Sequence, residues 1–321
     1  MKNILLISCV LLITSWPGYG QGRNTYSWEH TPENLALYRE TQGSQKQLIW
    51  QFNFIPGLKT FFHPVYNADR VMLTAEAPRD HPWHLGLWFC WKYINGLNYW
   101  EFTGDAKLRI SEGKTDIRNM KLVTRKDGSA RIILKINYHP WEQPDSVALS
   151  EMRIIRTSAP QSDGSYWMDF EHRFTALKEV LLDRTPPQTN SQGVRWGGYA
   201  GLCVRFDQSL SDPSYFSAQS DSMDSGERAT WVAANLKTPD GKTAQMILFD
   251  SPGNARYPTP WYVINRPNDR FWYFNAAILY HEPMELQAGE KMILRYRVII
   301  PAEPLTREEV EGRGQRAEGK N

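Results

Sequence analysis

The chain has 321 residues, enough for one large domain or two ordinary ones, and 41% of them are hydrophobic. Its 37 Lys and Arg residues nearly balance its 35 Asp and Glu residues, so the formal net charge of +2 excludes a nucleic-acid binder that relies on a basic surface. The 13 Trp, 15 Tyr and 13 Phe residues favour a β-rich core and a surface that stacks on ring-shaped ligands. Wholesale disorder, collagen and coiled coil are excluded by this composition.

The N-terminus has the pattern of an export signal. Lys2 precedes an apolar run over residues 4–13, and the small residues Gly18 and Gly20 occupy the −3 and −1 positions of a cleavage site. The run is too short to span about 30 Å of hydrocarbon. We therefore expect a signal peptide over residues 1–20 and a periplasmic or secreted mature protein with no membrane partner.

Alternation of apolar and polar residues dominates the rest of the chain. It runs through residues 131–138, 168–174 and 291–300, which is typical of strands that bury one face. Turn-forming pairs that end in glycine separate such segments, at positions 127–128, 163–164, 240–241 and 288–289. Many strands, short turns and almost no helical periodicity predict an all-β fold, a single-domain antiparallel β-sandwich over residues 21–304.

Three segments lie outside this alternation. Residues 183–200 and 250–270 are rich in Pro, Gly, Asn and Arg, and we interpret them as long functional loops. Residues 305–321 are charged and have few apolar side chains, so we expect a disordered tail there. Cys90 and Cys203 lie in apolar, strand-like contexts; export permits a disulfide between them, but we favour buried free thiols.

The densest group of chemically active side chains lies within residues 79–101. Asp80, His81 and His84 are close together ahead of a Trp-rich strand, and Pro82 stiffens the backbone between them. Two imidazoles and a carboxylate could bind zinc, iron or copper, or could supply a base and an acid for proton transfer. A structural role, in which the rings bridge loop carbonyls, is the alternative. We assign the three side chains a catalytic role, and any metal would bind the two histidines.

Five further residues are candidates on a weaker signal. His63 precedes a proline in a similar aromatic stretch, and His281 and Glu282 follow the end of a strand, so we expect these three to contact substrate. Glu101 or Glu282 would be the partner carboxylate. His172 alternates with phenylalanines, which fits either a core histidine or a ring that projects into the ligand. We include it among the catalytic residues.

Arginine and aromatic side chains in the two loops suit a sugar ligand. They are Arg195, Trp196 and Tyr199 in the first loop and Tyr257, Trp261 and Tyr262 in the second. A guanidinium pairs bidentately with a carboxylate and a ring stacks on apolar C–H faces, so acidic sugars or other polyols fit them. We expect one aromatic-walled cleft, with side-chain tips within roughly 15 Å of one another. Its lining would include His81, His84, His172, Arg195 and Trp261.

The run DHPWHLGLWFCWKYINGLNYWE, residues 80–101, resembles the signature of a bacterial family, DUF6807, often labelled methane oxygenase PmoA-like. The segments FFHPVY, GYAGLCVRF and ILFDSPGNARYPTPWYV are also similar, so the resemblance spans about Leu48 to Pro301. The family motif typically reads D-H-P-H-H-R-G-L-W. Trp83 and Leu85 replace its usual His and Arg, so a metal site or anion contact that needs those two residues is not implied here.

This resemblance implies a large β-sandwich similar to galactose-mutarotase-like and other carbohydrate-active folds, with an oligosaccharide as partner. Relatives are common in bacteria that degrade polysaccharides. The positions that match the family motif include Asp80, His81, His84 and His63. The methane-oxygenase label would imply a metal-dependent oxidoreductase instead.

Our leading hypothesis is an exported carbohydrate-active enzyme that acts on glycosides or uronate-containing oligosaccharides by hydrolysis or elimination. His81 or His84 would be the general base or acid, and Asp80 would orient one ring. No cofactor is required, although a divalent metal stays open. The alternatives are a non-catalytic glycan-binding protein and a metal-dependent oxidoreductase. The sequence lacks a G-x-S-x-G elbow, a Walker loop, a Rossmann glycine fingerprint and H-E-x-x-H. Their absence disfavours hydrolases with a catalytic triad, NTPases, nicotinamide-dependent enzymes and zincin proteases.

Overall fold

The computed structural model describes residues 25–40, 45–103, 109–188 and 192–318, so the expected signal peptide lies outside the described residues. Strands dominate the described chain, as the alternation predicts. They are β1 (Thr25–His30), β2 (Asn34–Glu40), β3 (Gln47–Asn53), β4 (Phe61–Val65), β5 (Leu87–Cys90), β6 (Tyr93–Ile94), β7 (Leu97–Asn98), β8 (Gly113–Thr124), β9 (Ala130–Pro140), β10 (Leu149–Thr157), β11 (Tyr166–Ala176), β12 (Val180–Asp183), β13 (Gly201–Arg205), β14 (Ser211–Ser217), β15 (Trp231–Lys237), β16 (Thr243–Asp250), β17 (Trp261–Arg266), β18 (Phe271–Ala277), β19 (Met284–Leu286) and β20 (Lys291–Ile300). One helix, α1 (Arg307–Glu318), follows the last strand.

The strands form two large antiparallel sheets and a small one. The first sheet has the order β1-β2-β3-β4-β5-β13-β18-β17, and the second has the order β14-β15-β16-β20-β11-β10-β9-β8. A four-stranded sheet has the order β19-β12-β6-β7. Strands from both halves of the chain are therefore neighbours in each large sheet.

The two large sheets pack face to face through aromatic side chains. Phe62 of β4 lies 5.9 Å, between ring centroids, from Phe170 of β11, and Phe89 of β5 lies 5.7 Å from Phe174 of the same strand. The alternate residues of β11 that point away from this interface are partly or fully exposed. This arrangement confirms the predicted all-β antiparallel sandwich.

The first sheet is covered on its outer face as well. In β18, Trp272 and Phe274 point into the sandwich core, where Phe274 stacks on Trp261 at 6.1 Å. The alternate residues Phe271 and Tyr273 point to the outer face, and they too are buried. Loops that cover this outer face form the walls of the cavity described below.

Residues 250–270 are only partly a loop. The predicted loop ends at Pro260, because β17 occupies Trp261–Arg266 and pairs with β18 along its whole length. The short Trp-Tyr-Val-Ile-Asn-Arg run is a strand that the flanking prolines and glycines obscure in the sequence.

The prediction of a disordered tail from residue 305 is wrong for the part that the structure describes. Helix α1 begins with a capping box, in which the Thr306 backbone N–H donates to the Glu309 side chain at 2.8 Å and the Glu309 N–H donates to Thr306 Oγ1 at 3.4 Å. Val310 is fully buried among Trp231, Ile247 and other residues of the second sheet. One buried valine and a cap order this charged segment.

Cys90 and Cys203 are free and buried on neighbouring strands of the first sheet. Each thiol donates to a main-chain carbonyl, Cys90 to Trp91 at 3.0 Å and Cys203 to Trp88 at 3.1 Å. The favoured interpretation of free thiols is confirmed. Burial raises the pKa of Cys90 to about 11, so this thiol stays protonated.

Candidate functional site

A cavity of about 850 Å³ lies on the outer face of the first sheet. Its floor is formed by side chains of β17 and β18, including Tyr262, Phe271 and Tyr273. Its walls come from loops that are distant in sequence. The lining residues are His81, Trp83, His84, Trp100, Glu101, Arg195, Trp196, Tyr199, Ser225, Tyr262, Val263, Ile264, Asn265, Arg266, Phe271 and Tyr273. Nine of the sixteen lining residues carry rings, and Trp196 is the large apolar one that is well exposed, at 63%.

Hydrogen bonds within its own backbone close the loop that bears the two histidines. The Ala77 N–H donates to the His84 carbonyl at 2.8 Å, and inside this closure His81 N donates to Pro78 O at 3.0 Å. His84 N donates in turn to His81 O at 2.9 Å. Because these bonds form two successive turns, the His81 and His84 rings lie on the same side of the loop, stacked at 4.7 Å.

The Asp80–His81 pair is the most organised polar group at the cavity. His81 Nδ1 lies 2.8 Å from Asp80 Oδ2, and Arg205 Nη2 donates to both Asp80 oxygens, at 3.1 and 2.9 Å. Burial opposes ionisation of Asp80, but the His81 hydrogen bond and the Arg205 charge hold its pKa below the ordinary value. The ionised carboxylate can only accept, so Nδ1 of His81 carries the hydrogen and Nε2 is left with a lone pair.

His81 itself is neutral near pH 7. Burial lowers its pKa, and the hydrogen bond from its ring to Asp80 opposes this effect without reversing it. Its side chain keeps 27% of its exposure, so a ligand in the cavity can reach the ring. A neutral imidazole with an oriented tautomer and an accessible Nε2 is suited to accept a proton.

His84 lies between His81 and the floor of the cavity. Its ring stacks on that of Tyr273, with 5.3 Å between the ring centroids, and the residue is only 4% exposed. Its Nδ1 has no hydrogen-bond partner in the described part of the chain. Burial, with the positive charges of Arg205 and Lys59 nearby, holds its pKa well below the ordinary value. His84 is therefore a neutral ring that supports His81 from beneath.

Glu101 forms a second polar group at the cavity. It makes a close ion pair with Lys92 and accepts a hydrogen bond from the Tyr199 hydroxyl at 2.7 Å. Burial opposes its ionisation, but Lys92, Tyr199 and Asn98 together lower its pKa. Asn98 Oδ1 also accepts the backbone N–H groups of Trp100 and Glu101, which fixes both side chains at the cavity.

The structure brings together six of the histidine, arginine and aromatic residues that the sequence singled out for the site. These are His81, His84, Arg195, Trp196, Tyr199 and Tyr262. Asp80 lies directly behind His81, and Glu101 lines the same cavity. The sequence could find them because the D-H-P-x-H cluster and the glycine-bearing loop each stand out from the alternation.

His172 and Trp261 are not at the cavity, which corrects the expected common cleft. His172 points from β11 into the sandwich core, where its Nδ1 lies 2.8 Å from Glu151 Oε1 and its ring lies 4.1 Å from Phe89. Trp261 is fully buried, and its indole N–H donates to the Ala229 carbonyl at 2.9 Å. Both belong to the inward-facing set of their strands.

Four other predicted contacts also lie away from the cavity. His63 on β4 faces Thr74 Oγ1 at 3.0 Å, and His281 lies on the surface with Nε2 at 2.9 Å from the Gly226 carbonyl. Glu282 is largely exposed and lies 3.5 Å from Arg256. Tyr257 lines a separate cavity of about 410 Å³ beside the second sheet.

The floor and the support of the site were not predicted from the sequence. Arg205, Arg266, Phe271 and Tyr273 lie on strands, where only pairing partners reveal which face each residue occupies. Because β13 and β18 are buried along their whole length, neither strand alternates in a way that would mark the face at the cavity. Tyr262 was named among the loop aromatics, yet the cavity was assigned to its neighbour Trp261.

A metal site is not evident among the described residues, since no group of three or more His, Cys, Asp or Glu side chains could hold an ion there. His81 and His84 lie face to face, and Asp80 already accepts from His81 and Arg205. This donor set does not fit a bound divalent metal.

Among the residues that the structure describes, none of the helices has the length and apolar character needed to span a membrane.

Residues 45–314 match the sequence model of a family of unknown function, DUF6807. The chain belongs to this family. The match names no activity, so the methane-oxygenase label gains no support from it. None of the curated proteins compared with this DUF6807 chain matches it.

The solved structures that resemble the fold include the following two. One is a Klebsiella pneumoniae protein provisionally assigned as an aldose 1-epimerase, with 9% identity, a TM-score of 0.44 and coverage of 91% of this chain and 87% of its own. The other is a polysaccharide lyase, with 12% identity, a TM-score of 0.34 and coverage of 88% of this chain and 33% of its own. At TM-scores below 0.5, neither likeness bears on the chemistry of this DUF6807 protein.

Proposed function

We propose that this DUF6807 protein is a carbohydrate-active enzyme that breaks a glycosidic linkage by hydrolysis or elimination, with His81 as the proton-accepting base. The observation that supports this most directly is the Asp80–His81 pair at the wall of a large aromatic cavity. Asp80 Oδ2 accepts a hydrogen bond from His81 Nδ1, with 2.8 Å between the two atoms, so Nε2 is the basic atom. The ring is neutral near pH 7, as a base must be before it accepts a proton.

The size and walls of the cavity support an oligosaccharide as substrate. A volume of about 850 Å³ exceeds what one small metabolite needs, and Trp83, Trp100 and Trp196 all line it. Indole faces stack on the C–H faces of sugar rings, while Ser225 and Asn265 offer polar groups for hydroxyls. The sugar contacts and the base therefore occupy one site.

Product analysis by mass tests this proposal. Purified protein is incubated with a panel of plant and algal oligosaccharides, and we expect cleavage products from at least one of them. His81→Gln should lower turnover by on the order of 10²–10⁴, as loss of a positioned base does. His30→Gln on exposed strand β1 is the matched control and should leave turnover unchanged. Equal turnover in the His81 variant would contradict the assignment.

A non-catalytic glycan-binding protein is the second candidate, and Trp196 favours it. This indole is 63% exposed at the cavity, as expected for a platform that captures a sugar without processing it. If this candidate is correct, oligosaccharide binding survives His81→Gln and no member of the panel yields product. Trp196→Ala should weaken binding under either function.

We also propose that the protein acts outside the cytoplasm. The support is the pattern of the first 20 residues, in which a short apolar run precedes small residues at a cleavage site. Mass analysis of protein recovered from the periplasm or medium tests it. An N-terminus at Gln21 is expected, and an intact N-terminus on cytoplasmic protein would contradict it.

A further inference from the structure

The cavity carries an excess of positive charge. Arg195 and Arg266 line it, and Glu101 is the one carboxylate among its described lining residues. Glu101 is already neutralised by Lys92, whose side chain is only 4% exposed. The Asp80 charge is matched in the same way by the buried Arg205. The uncompensated charges in the cavity are therefore cationic.

Neither arginine is committed to a strong partner. Arg195 is exposed and forms no ion pair with any residue in the described ranges. Arg266 lies 3.6 Å from Asp269, but both side chains are about half exposed, at 52% and 56%. Exposed ion pairs of this kind contribute little and exchange readily for a better anion. A carboxylate ligand could take the place of Asp269.

Phe271 sets the position of Arg266 relative to the base. In the register of β17 and β18, Arg266 is opposite Phe271, and its guanidinium carbon lies 4.5 Å from the centre of that ring. The His81 ring also lies 4.5 Å from the same phenyl ring. Arg266 and His81 therefore contact the same phenyl ring, which places a cation and the base in one part of the cavity.

We propose that Arg266 and Arg195 bind the carboxylate of an acidic sugar and that His81 removes the proton from the ring carbon bearing that carboxylate. This inference rests on the proposed carbohydrate-active function and specifies its substrate class and reaction. Two cations at a carboxylate favour such a step, because negative charge builds up on the carboxylate as the adjacent C–H bond breaks.

The proposed step is a β-elimination. His81 Nε2 takes the proton from the carbon next to the carboxylate, and the C–H electron pair becomes a new C=C bond to the adjacent ring carbon. The C–O bond at that adjacent carbon breaks, and the leaving oxygen keeps the bonding pair and takes a proton from water. His81 then returns its proton to water. No net water is consumed and no atom changes hands with an oxidant.

The test compares acidic oligosaccharides with their carboxyl-reduced counterparts. Binding to the full protein is measured by calorimetry for a panel of plant and algal uronate oligosaccharides, each paired with the same oligomer after carboxyl reduction. We expect the acidic member of at least one pair to bind about tenfold tighter or more, as charge-assisted hydrogen bonds to two guanidinium groups should give. Arg266→Gln and Arg195→Gln should each remove most of this preference. Arg125→Gln, in the turn between β8 and β9 of the second sheet, is the matched control and should keep it.

The products distinguish the reaction. Elimination gives an unsaturated product, and the two product masses add up to that of the substrate. Hydrolysis would add one water and overturn the elimination step. Equal binding of acidic and reduced oligomers, unaffected by the arginine variants, would overturn the acidic substrate class and leave the proposed carbohydrate function standing. Failure of every pair to bind would overturn both.

Discussion

His81 and His172 make the same bond in two different settings. Each has Nδ1 at 2.8 Å from a carboxylate oxygen, Asp80 for His81 and Glu151 for His172. The His81 side chain is 27% exposed, whereas His172 has no exposed surface. The sequence revealed the Asp80–His81 pair because the two residues are adjacent. The Glu151–His172 pair depends on the register of β10 and β11, which no local pattern reports.

Asp80→Asn should lower turnover and shift the pH profile of kcat/KM. The carboxylate raises the pKa of His81 against the effect of burial, so its removal should lower that pKa further. The acid limb, at which the base becomes protonated, should then move to lower pH. Turnover should fall by on the order of 10²–10⁴, because the Nδ1 tautomer is no longer held. The measurement is a pH–rate profile on protein shown by thermal unfolding to be folded.

An acid limb that stays in place or moves to higher pH in Asp80→Asn would contradict the role of Asp80. Asp116→Asn, on β8 of the second sheet, is a matched carboxylate control. It should leave the profile unchanged.

Protonation of His172 should destabilise the fold under mildly acidic conditions. Burial lowers the pKa of His172 to about 4, against an ordinary value of 6.5, although Glu151 opposes this effect. Between pH 6.5 and 4 the unfolded state therefore binds more protons, and the free energy of unfolding should fall as pH falls, by at most about 3 kcal/mol. His172→Gln should show a shallower decline over this window, measured by urea unfolding at several pH values.

The comparison with His172→Gln isolates this effect from Asp250. Burial raises the pKa of Asp250 to about 6, so its contribution to stability is present at low pH and is lost as pH rises through 6. That opposite trend is common to both proteins and cancels in their difference. Parallel pH dependences in the two proteins would contradict the assignment to His172.

At the scale of single elements, β17 shows that adjacent residues of one strand can belong to the core and to the candidate site. Trp261 and Tyr262 are adjacent, and alternation sends the first into the core and the second to the cavity floor. The sequence marked both as ring-bearing loop residues, because prolines and glycines on either side hide a six-residue strand. Whether a residue of a short strand faces ligand or core depends on which partner strand it joins.

Leucine substitutions at Trp261 and Tyr262 should affect different properties, stability for Trp261 and binding for Tyr262. Tyr262→Leu removes a ring from the cavity floor and should weaken oligosaccharide binding about five- to tenfold, since one ring stack is worth on the order of 1 kcal/mol. Trp261→Leu removes a fully buried indole and its bond to Ala229, and should lower the free energy of unfolding by roughly 2–4 kcal/mol with affinity unchanged. Calorimetric binding and urea unfolding of both variants test this. If Trp261→Leu lost oligosaccharide affinity and Tyr262→Leu kept it, the placement of Trp261 in the core and Tyr262 at the cavity would be contradicted.

For the whole molecule, the sequence predicted the fold class but could not predict the assembly. Alternation is a local signal, so β9, β11 and β20 could be recognised from their own residues. The order of the first sheet depends on the pairing of β5 with β13, which joins Cys90 to Gly201 across more than a hundred residues. The cavity exists only because that pairing brings the 77–84 loop beside β13 and β18. The residues of the cavity floor could therefore not be predicted from the sequence, whereas the histidines of its wall could.

The interleaved sheets predict a single cooperative unfolding transition. The first sheet takes β1–β5 from the N-terminal half and β13, β17 and β18 from the C-terminal half, while β20 joins β16 to β11 in the second. Neither half can complete a sheet alone, so disruption of one strand should destabilise both sheets. Leu294→Ala on β20, where the side chain is fully buried, should cost roughly 2–5 kcal/mol and lower the urea midpoints of tryptophan fluorescence and far-ultraviolet circular dichroism equally. The exposed neighbour Ile293→Ala on the same strand is the control and should shift both midpoints much less. Midpoints that separate in Leu294→Ala, with one probe unmoved, would show that the two sheets unfold independently.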